Sequence, residues 1–305
     1  MVIRMSSVLK FIKDNDIGKY LENVSLKKFT TYKVGGDAKI IVYPKDEKKL
    51  ISLLKYIKSR NIKYKILGNG SNTLFSSKEY DGVIIKLDCF NDIEVLNNKI
   101  KVGAGYNLMR LAALAMRKSL TGLEFASGIP GTVGGAIYMN AGAYKKDMGY
   151  IVQSVKVLTP SFKVITMTNK ELHFHYRDSF FQHNKDYICL GATLKLVLGK
   201  KSEIMAVNEE RKKRRLESQP LEFPSAGSVF RNPEGMYAGK LIEDLGLKGL
   251  TKGGAQISNK HANFIVNKNN AKAEDIKELI EFVKEAVYEK YDVLLKVEQE
   301  FVNWE

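Results

Sequence analysis

Residues that bind metals, form crosslinks or break secondary structure are scarce in this chain. Its 305 residues include two cysteines, four histidines, six prolines and one tryptophan. Cys89 and Cys189 sit in apolar, strand-like runs with neither CxxC spacing nor ligand partners nearby, so they predict buried free thiols rather than a redox pair. No apolar stretch approaches the roughly 20 residues that span a bilayer. The N-terminal MVIRMSSVLKFIKDND has no apolar core or small-residue cleavage site of a signal peptide. These absences predict a soluble, cytoplasmic protein with no membrane partner. Acidic residues are also in deficit: 49 Lys and Arg stand against 34 Asp and Glu, a net charge of +15. Such an excess invites a nucleic-acid reading through counterion release, yet only Arg211 to Arg215 (RKKRR) forms a dense run. On a helix that run spreads over several faces, so a solvated surface is expected and no nucleic-acid partner. The charge equally suits a polyanionic small molecule such as a nucleotide diphosphate.

A hydrophobic content of 44% excludes a disordered chain. The length exceeds one ordinary core, so two or three lobes are expected. Residues 7 to 22 and 47 to 59 carry apolar residues at helical spacing. YKILGNGSNTLF then reads as a strand breaking into a Gly and Asn loop, the order in which an α/β lobe presents backbone amides at a strand end. Residues 82 to 87 and 93 to 102 read as strands, the latter turning at Asn97 and Asn98. A helix over 107 to 118 and strands near 151 to 158, 162 to 167 and 187 to 198 complete an α+β middle lobe. A charged helix over 202 to 217 follows. Beyond it come a loop LEFPSAGSVFRNPEG, a short helix in AGKLIEDLGL, a strand in HANFIVN, an amphipathic helix in EDIKELIEFVKEAVYEKY and a closing strand VLLKVEQEFV. The expected partition is 1–82, 83–200 and 201–305.

One stretch departs from the rest. GIPGTVGGAIYMNAGAY, residues 128 to 144, holds five glycines and no charged residue. Glycine gives up side-chain packing for close backbone approach, and free N–H groups among small residues suit a bulky, partly flat anion. A tight structural turn is the other reading, and both stand on this segment alone. A second glycine loop, GNGSN at 68 to 72, adds side-chain donors. Neither loop has the spacing of a Rossmann or P-loop motif. In HFHYRDSFF, Arg177 is either a bidentate carboxylate clamp or the partner of Asp178 stacked on rings. His173 and His175 would share one face of a strand, but without further ligands no metal is expected. Ser225 and Ser228 lack a nucleophile-elbow motif, and a serine there acts as a proton donor only where its alkoxide is stabilised. Glu298 and Glu300 alternate along the closing strand and share a face.

Six blocks occur in order: TTYKVGG at 30 to 36, LGNGSNTLF at 67 to 75, GLEFASGIPGTVGGAIYMNAGAY at 122 to 144, YRDSFF at 176 to 181, QPLEFPSAGSVFRNP at 219 to 233 and AGKLIEDLGLKG at 238 to 249. Together they closely resemble the UDP-N-acetylenolpyruvoylglucosamine reductase family, over nearly the whole chain and in its shorter, type II form. The resemblance implies a PCMH-type FAD-binding fold of two lobes and a C-terminal α/β domain that closes over a UDP-sugar. It implies noncovalent FAD, with Gly68, Asn69, Gly70, Ser71 and Asn72 at the pyrophosphate. Gly128, Ile129, Pro130, Gly131, Gly134, Gly135, Ala136 and Asn140 would line the flavin. NADPH would be the cosubstrate, with hydride passing through the flavin to the β-carbon of enolpyruvyl UDP-N-acetylglucosamine. Arg177 matches the family's catalytic arginine and would hold the enolate charge; Ser228 matches its serine and would protonate the α-carbon. The family's glutamate lies in an LxPEV-like segment, here LLKVEQEF without the Pro and Val; ungapped matching favours Glu298 and leaves Glu300 open. Tyr176, Arg231 and Asn232 are candidate substrate contacts. A monomer is expected. An alcohol oxidase of the same flavin fold is the competing function; many such oxidases tether FAD through an N-terminal histidine, whereas the first histidine here is His173. Cys89 stays open as a tether.

Overall fold

The computed structural model describes residues 2–305, with side chains from Met5 onward; Met1, where the first expected lobe begins, lies outside the described residues. The chain divides into two compact units, and both are discontinuous. The first comprises 1–22, 40–69 and 82–213; the second comprises 23–39, 70–81 and 214–305. The linear partition expected from the sequence has no counterpart for 23–39 and 70–81, which join the C-terminal residues.

The first unit is built on two sheets. One orders its strands Gly18–Ser25, Asp37–Pro44, Tyr80–Ile85 and Tyr64–Ile66; the N-terminal residues of the second and third of these, and the last of the first, are counted with the other unit. The other is five-stranded and antiparallel, ordered Val164–Thr168, Val152–Leu158, Ile188–Lys195, Lys99–Gly103 and Ile93–Leu96. Its edge hairpin turns at Asn97 with φ +53°, the left-handed conformation that Asn tolerates. The helix Glu47–Ser59 starts where the Asp46 carboxylate accepts from the Lys49 N–H at 2.9 Å, and buries Leu50, Leu53, Leu54 and Ile57. That 3-4-7 spacing is one helical stripe, here turned into the core. The helix Leu108–Arg117 repeats the pattern: Asn107 caps it, and Leu108, Leu111, Ala112 and Ala115 are buried.

The second unit packs the helix Ala273–Tyr291 on the sheet Thr251–Lys252, Ala255–Ile257, Ile265–Asn267. Ala273, Ile276, Leu279, Ile280, Val283 and Val287 face its core, joined there by Tyr32, Val34 and Leu74. Glu300–Val302 pairs in parallel with Thr73–Phe75.

Several expectations need correction. The first helix is Val2–Asp14, and residues 18 to 22 belong to a strand. Asp16 turns at φ +46°, and a Cβ on Gly18 would lie 2.0 Å from the Tyr43 carbonyl oxygen, so the chain leaves the helix to pack as backbone against a neighbouring strand. The HxH segment is no strand: Lys170–Leu172 is a 3-10 turn and His173 has φ +45°. Cys89 is exposed, and only Cys189 is buried. The closing strand is confined to Glu300–Val302, so Glu298 lies outside it.

Candidate functional site

In the first unit, Gly68 of one glycine loop approaches Thr132 of the other. A Cβ on Gly68 would stand 2.9 Å from Thr132 Oγ1, and one on Gly134 would stand 3.0 Å from Ala104 Cβ. Glycine is needed at both for close approach rather than for flexibility. Most amides of the second loop are engaged internally: Ile129 N–H donates to Ala126, Gly131 to Ile129, Val133 to Tyr106 and Gly134 to Ala104, all at 2.8–3.1 Å. Thr132 Oγ1 accepts from Gly135 at 3.3 Å, and Ala136 N–H donates to the Thr132 carbonyl at 2.9 Å. The expectation that these glycines offer a row of free N–H groups therefore fails at these six positions; the loop presents small surface, not open donors. Pro130 and Gly135 are exposed, while Gly128 and Ile129 are half-buried.

Positive charge reaches this place from a residue that the sequence analysis passed over. Lys86 is 6% exposed, and its Nζ donates to the Gly68 carbonyl at 2.7 Å and stands 3.3 Å from Asp88 Oδ1. An ammonium is rarely buried without a partner. A lysine inside the apolar run GVIIKL was the available signal.

The segment that bears Arg177 is fastened to the same region. Asn140 is 1% exposed; its Nδ2 donates to the His175 carbonyl at 2.7 Å and its Oδ1 accepts from Gly149 N–H at 2.9 Å. Ser179, fully buried, donates to the Tyr138 carbonyl at 2.7 Å, and Gln182 Nε2 bridges Tyr138 and Arg177 carbonyls at 3.1 and 2.9 Å. Arg177 itself has φ +56°, donates from Nη2 to the Gly142 carbonyl at 2.9 Å, and lies 5.2 Å from the ring centre of Tyr176, which is 53% exposed. Asp178 is engaged by His183 Nε2 at 2.9 Å.

In the second unit, Glu298 is held between Val229, the residue after Ser228, and the side chain of Asn72. Glu298 N–H donates to the Val229 carbonyl at 2.8 Å, and Phe230 bridges Val297. The buried Asn263 holds Phe230 from the other side, accepting from its N–H at 2.9 Å and donating to its carbonyl at 2.8 Å. Asn72 Nδ2 donates to the Glu298 carbonyl at 3.1 Å, while its own carbonyl accepts from Glu300 N–H at 2.9 Å. Gly70, at φ +61°, fits against Thr30, where a Cβ would lie 2.9 Å from its Cα, and accepts from Thr31 N–H at 3.2 Å. Asn69 and Ser71 are half-buried. Arg231 N–H donates to Lys296, and Asn232 Oδ1 accepts from Ala238 N–H at 3.1 Å at the start of the helix Ala238–Asp244. Among the described residues no cluster of His, Cys, Asp and Glu is disposed to hold a metal, and no helix is long and apolar enough to cross a membrane.

Comparison with known proteins decides between flavin reductase and oxidase. Residues 219–302 match the C-terminal domain of UDP-N-acetylenolpyruvoylglucosamine reductase, and residues 38–168 match an FAD binding domain. The reductase of that name from Anoxybacillus flavithermus is 44% identical over 94% of this chain and 96% of its own. That from Caldanaerobacter subterraneus is 45% identical over 94% of each. The chain belongs to the UDP-N-acetylenolpyruvoylglucosamine reductase family. The crystal structure of the family member from Thermus caldophilus superposes with a TM-score of 0.79 at 35% identity, covering 93% of this chain and 98% of that one. The fold class is α+β with a PCMH-type FAD-binding part, as the six blocks imply. The residues present fit FAD: the two glycine loops carry no carboxylate, Gly68 and Gly134 keep close approaches that a Cβ would fill, and the buried Lys86 ammonium donates to the Gly68 carbonyl.

Proposed function

We infer that the protein reduces the enolpyruvyl ether of UDP-N-acetylglucosamine to UDP-N-acetylmuramate, using FAD and, as hydride-donating cosubstrate, NADPH. The carrying observation is the 44% identity to a reductase of this name across nearly the full length of both chains. Peptidoglycan precursor synthesis is the setting; a cytoplasmic monomer serving cell shape and division is the finer reading and rests on the family.

When bound, FAD would supply the hydride chemistry that links NADPH to the substrate's β-carbon. Addition across the C=C bond then needs one proton at the α-carbon and a cation for the charge that gathers at the carboxylate. Ser228 supplies the proton. The backbone pairing of Glu298 with Val229 supports Glu298, rather than Glu300, as its companion, because it brings residue 298 to the serine loop while residue 300 pairs with Asn72. Arg177, fixed through Gly142, holds the developing negative charge. Tyr176, Arg231 and Asn232 contact the substrate. Gly68 to Asn72 would take the FAD pyrophosphate, with Lys86 adding charge through Gly68, and residues 128 to 136 would line the flavin. Asn140 acts beneath that surface, since its side chain is occupied by His175 and Gly149. Within the first unit, the four-stranded and five-stranded sheets correspond to the two flavin lobes.

The test is spectroscopic. NADPH should bleach the flavin anaerobically, enolpyruvyl UDP-N-acetylglucosamine should restore it, and acid precipitation should release all yellow colour to the supernatant. Bleaching by an alcohol but not by NADPH would support the oxidase instead, and colour in the pellet would reject noncovalent FAD.

A further inference from the structure

The block TTYKVGG has no role in the reading above, and its Tyr32 is fully buried. The Tyr32 hydroxyl donates to Gln299 Oε1 at 3.1 Å. Gln299, 5% exposed, turns its Nε2 to three successive carbonyl oxygens, Ala226 at 3.3 Å and Gly227 and Ser228 at 3.5 Å each. The amide can point only one way: three carbonyls accept and never donate, so they take the NH2 end and leave Oε1 for the phenol. Burial drives the Tyr32 phenol upward, against a smaller opposite effect of Gln299, so it stays protonated and remains a donor.

The carbonyls so gathered belong to the three residues that end at Ser228, and Gly227 among them has φ +73°. A chain in that conformation is determined by its surroundings, since no side chain at Gly227 restricts it. Asn263 and the Val297 bridge hold the loop only from Val229 onward. Gln299 is thus the described side chain that gathers it on the N-terminal side. Tyr32 is anchored in turn: its carbonyl accepts from Asn267 Nδ2 at 3.0 Å, and Thr31 beside it donates to Gly70.

We propose that Gln299, oriented by Tyr32, is a positioning residue that sets the peptide of Ser228 for proton delivery. The inference rests on Ser228 as the general acid. It predicts loss in one half-reaction only, because displacement of a reacting group by about 1 Å is enough to cost up to roughly 10²-fold.

The experiment compares Gln299→Met, Tyr32→Phe, Ser228→Ala and the double variant Gln299→Met/Ser228→Ala as FAD-loaded enzymes, by anaerobic stopped flow. Gln299→Met should slow reoxidation by the enolpyruvyl substrate by roughly 10- to 100-fold, with a larger solvent deuterium isotope effect, while flavin reduction by NADPH stays within about twofold of wild type. Tyr32→Phe should give a smaller loss of the same kind; removing one oxygen, it reports even where Gln299→Met does not fold. In the Ser228→Ala background Gln299→Met should add nothing, since a residue that acts through Ser228 has nothing left to position. Equal losses in both backgrounds, equal slowing of both half-reactions, or silent Gln299→Met and Tyr32→Phe beside a defective Ser228→Ala would each overturn the proposal. A Ser228→Ala enzyme with normal reoxidation would instead overturn the reading of Ser228 as the acid, and the proposal with it.

Discussion

A serine hydroxyl is a weak acid, so its use as a proton donor depends on placement more than on intrinsic acidity. Ser228→Ala should leave FAD binding and its reduction by NADPH near normal and slow reoxidation by about 10² to 10⁴. Glu298→Gln should show the same pattern, and Glu300→Gln should be nearly silent. Both glutamates are half-buried, so exposure does not separate them; their backbone partners do. A large defect in Glu300→Gln beside a silent Glu298→Gln would move the catalytic position by two residues. The two thiols differ as sharply. Burial pushes the Cys189 thiol up to about 12, against a weaker effect of the Gly191 carbonyl contact, whereas Cys89 is exposed. The thiolate is the reactive form, so an alkylating reagent at pH 8 should add a single label to the native protein. Intact mass should count one label and peptide mapping should place it on Cys89, with Cys189 reacting after unfolding. Rapid double labelling would mean that the strand Ile188–Lys195 opens readily.

At the scale of elements, the site depends on loops clamped by side chains that are not themselves reactive. Asn140→Ala removes the side chain that bridges the His175 carbonyl and the Gly149 N–H. Each buried group left without a partner costs about 1–3 kcal/mol. The variant should melt at lower denaturant concentration, and its reoxidation by substrate should slow more than flavin reduction, because His175 adjoins the turn that carries Arg177. An unchanged denaturant midpoint would mean that water replaces the amide. Helices were legible here because one stripe of apolar residues decides them: 47 to 59, 107 to 118 and the helix after Lys272 all fall within a residue or two of expectation. The turn at residues 173 to 177 was not legible, since His173 and Arg177 take left-handed conformations and the segment is tied down by distant partners, His175 to Asn140 and Arg177 to Gly142. The closing strand misled for a related reason. Its two-residue alternation is real, but its partners are split between Phe230 for Val297 and Thr73–Phe75 for Glu300–Val302. Of the site residues, those with a counterpart in the family's chemistry are legible; Tyr32, although inside the block TTYKVGG, and Gln299 are not, because only tertiary contacts show that each is buried against the other.

At the scale of the whole molecule, a linear reading places 201–305 as a domain by itself, yet the second unit draws 23–39 and 70–81 into the same fold. Those segments supply more than coverage. Tyr32, Val34 and Leu74 belong to the apolar core of the unit. Thr73–Phe75 is the partner strand of Glu300–Val302, the Leu74 carbonyl accepts from Trp304 Nε1 at 2.9 Å, and Ser77 donates to the Glu274 carboxylate at 2.6 Å. Residues 214–305 expressed alone would expose that apolar surface and leave the last strand with an unpaired edge. Domains are marginally stable, by about 5–15 kcal/mol, so the loss of three core side chains and a strand pairing exceeds what a small unit tolerates. The isolated segment should show helix by circular dichroism, from the amphipathic Ala273–Tyr291, but no cooperative thermal transition and little amide protection near 300–302. A fragment that melts cooperatively with protected amides there would show that the two N-terminal segments are accessories to a self-sufficient C-terminal core.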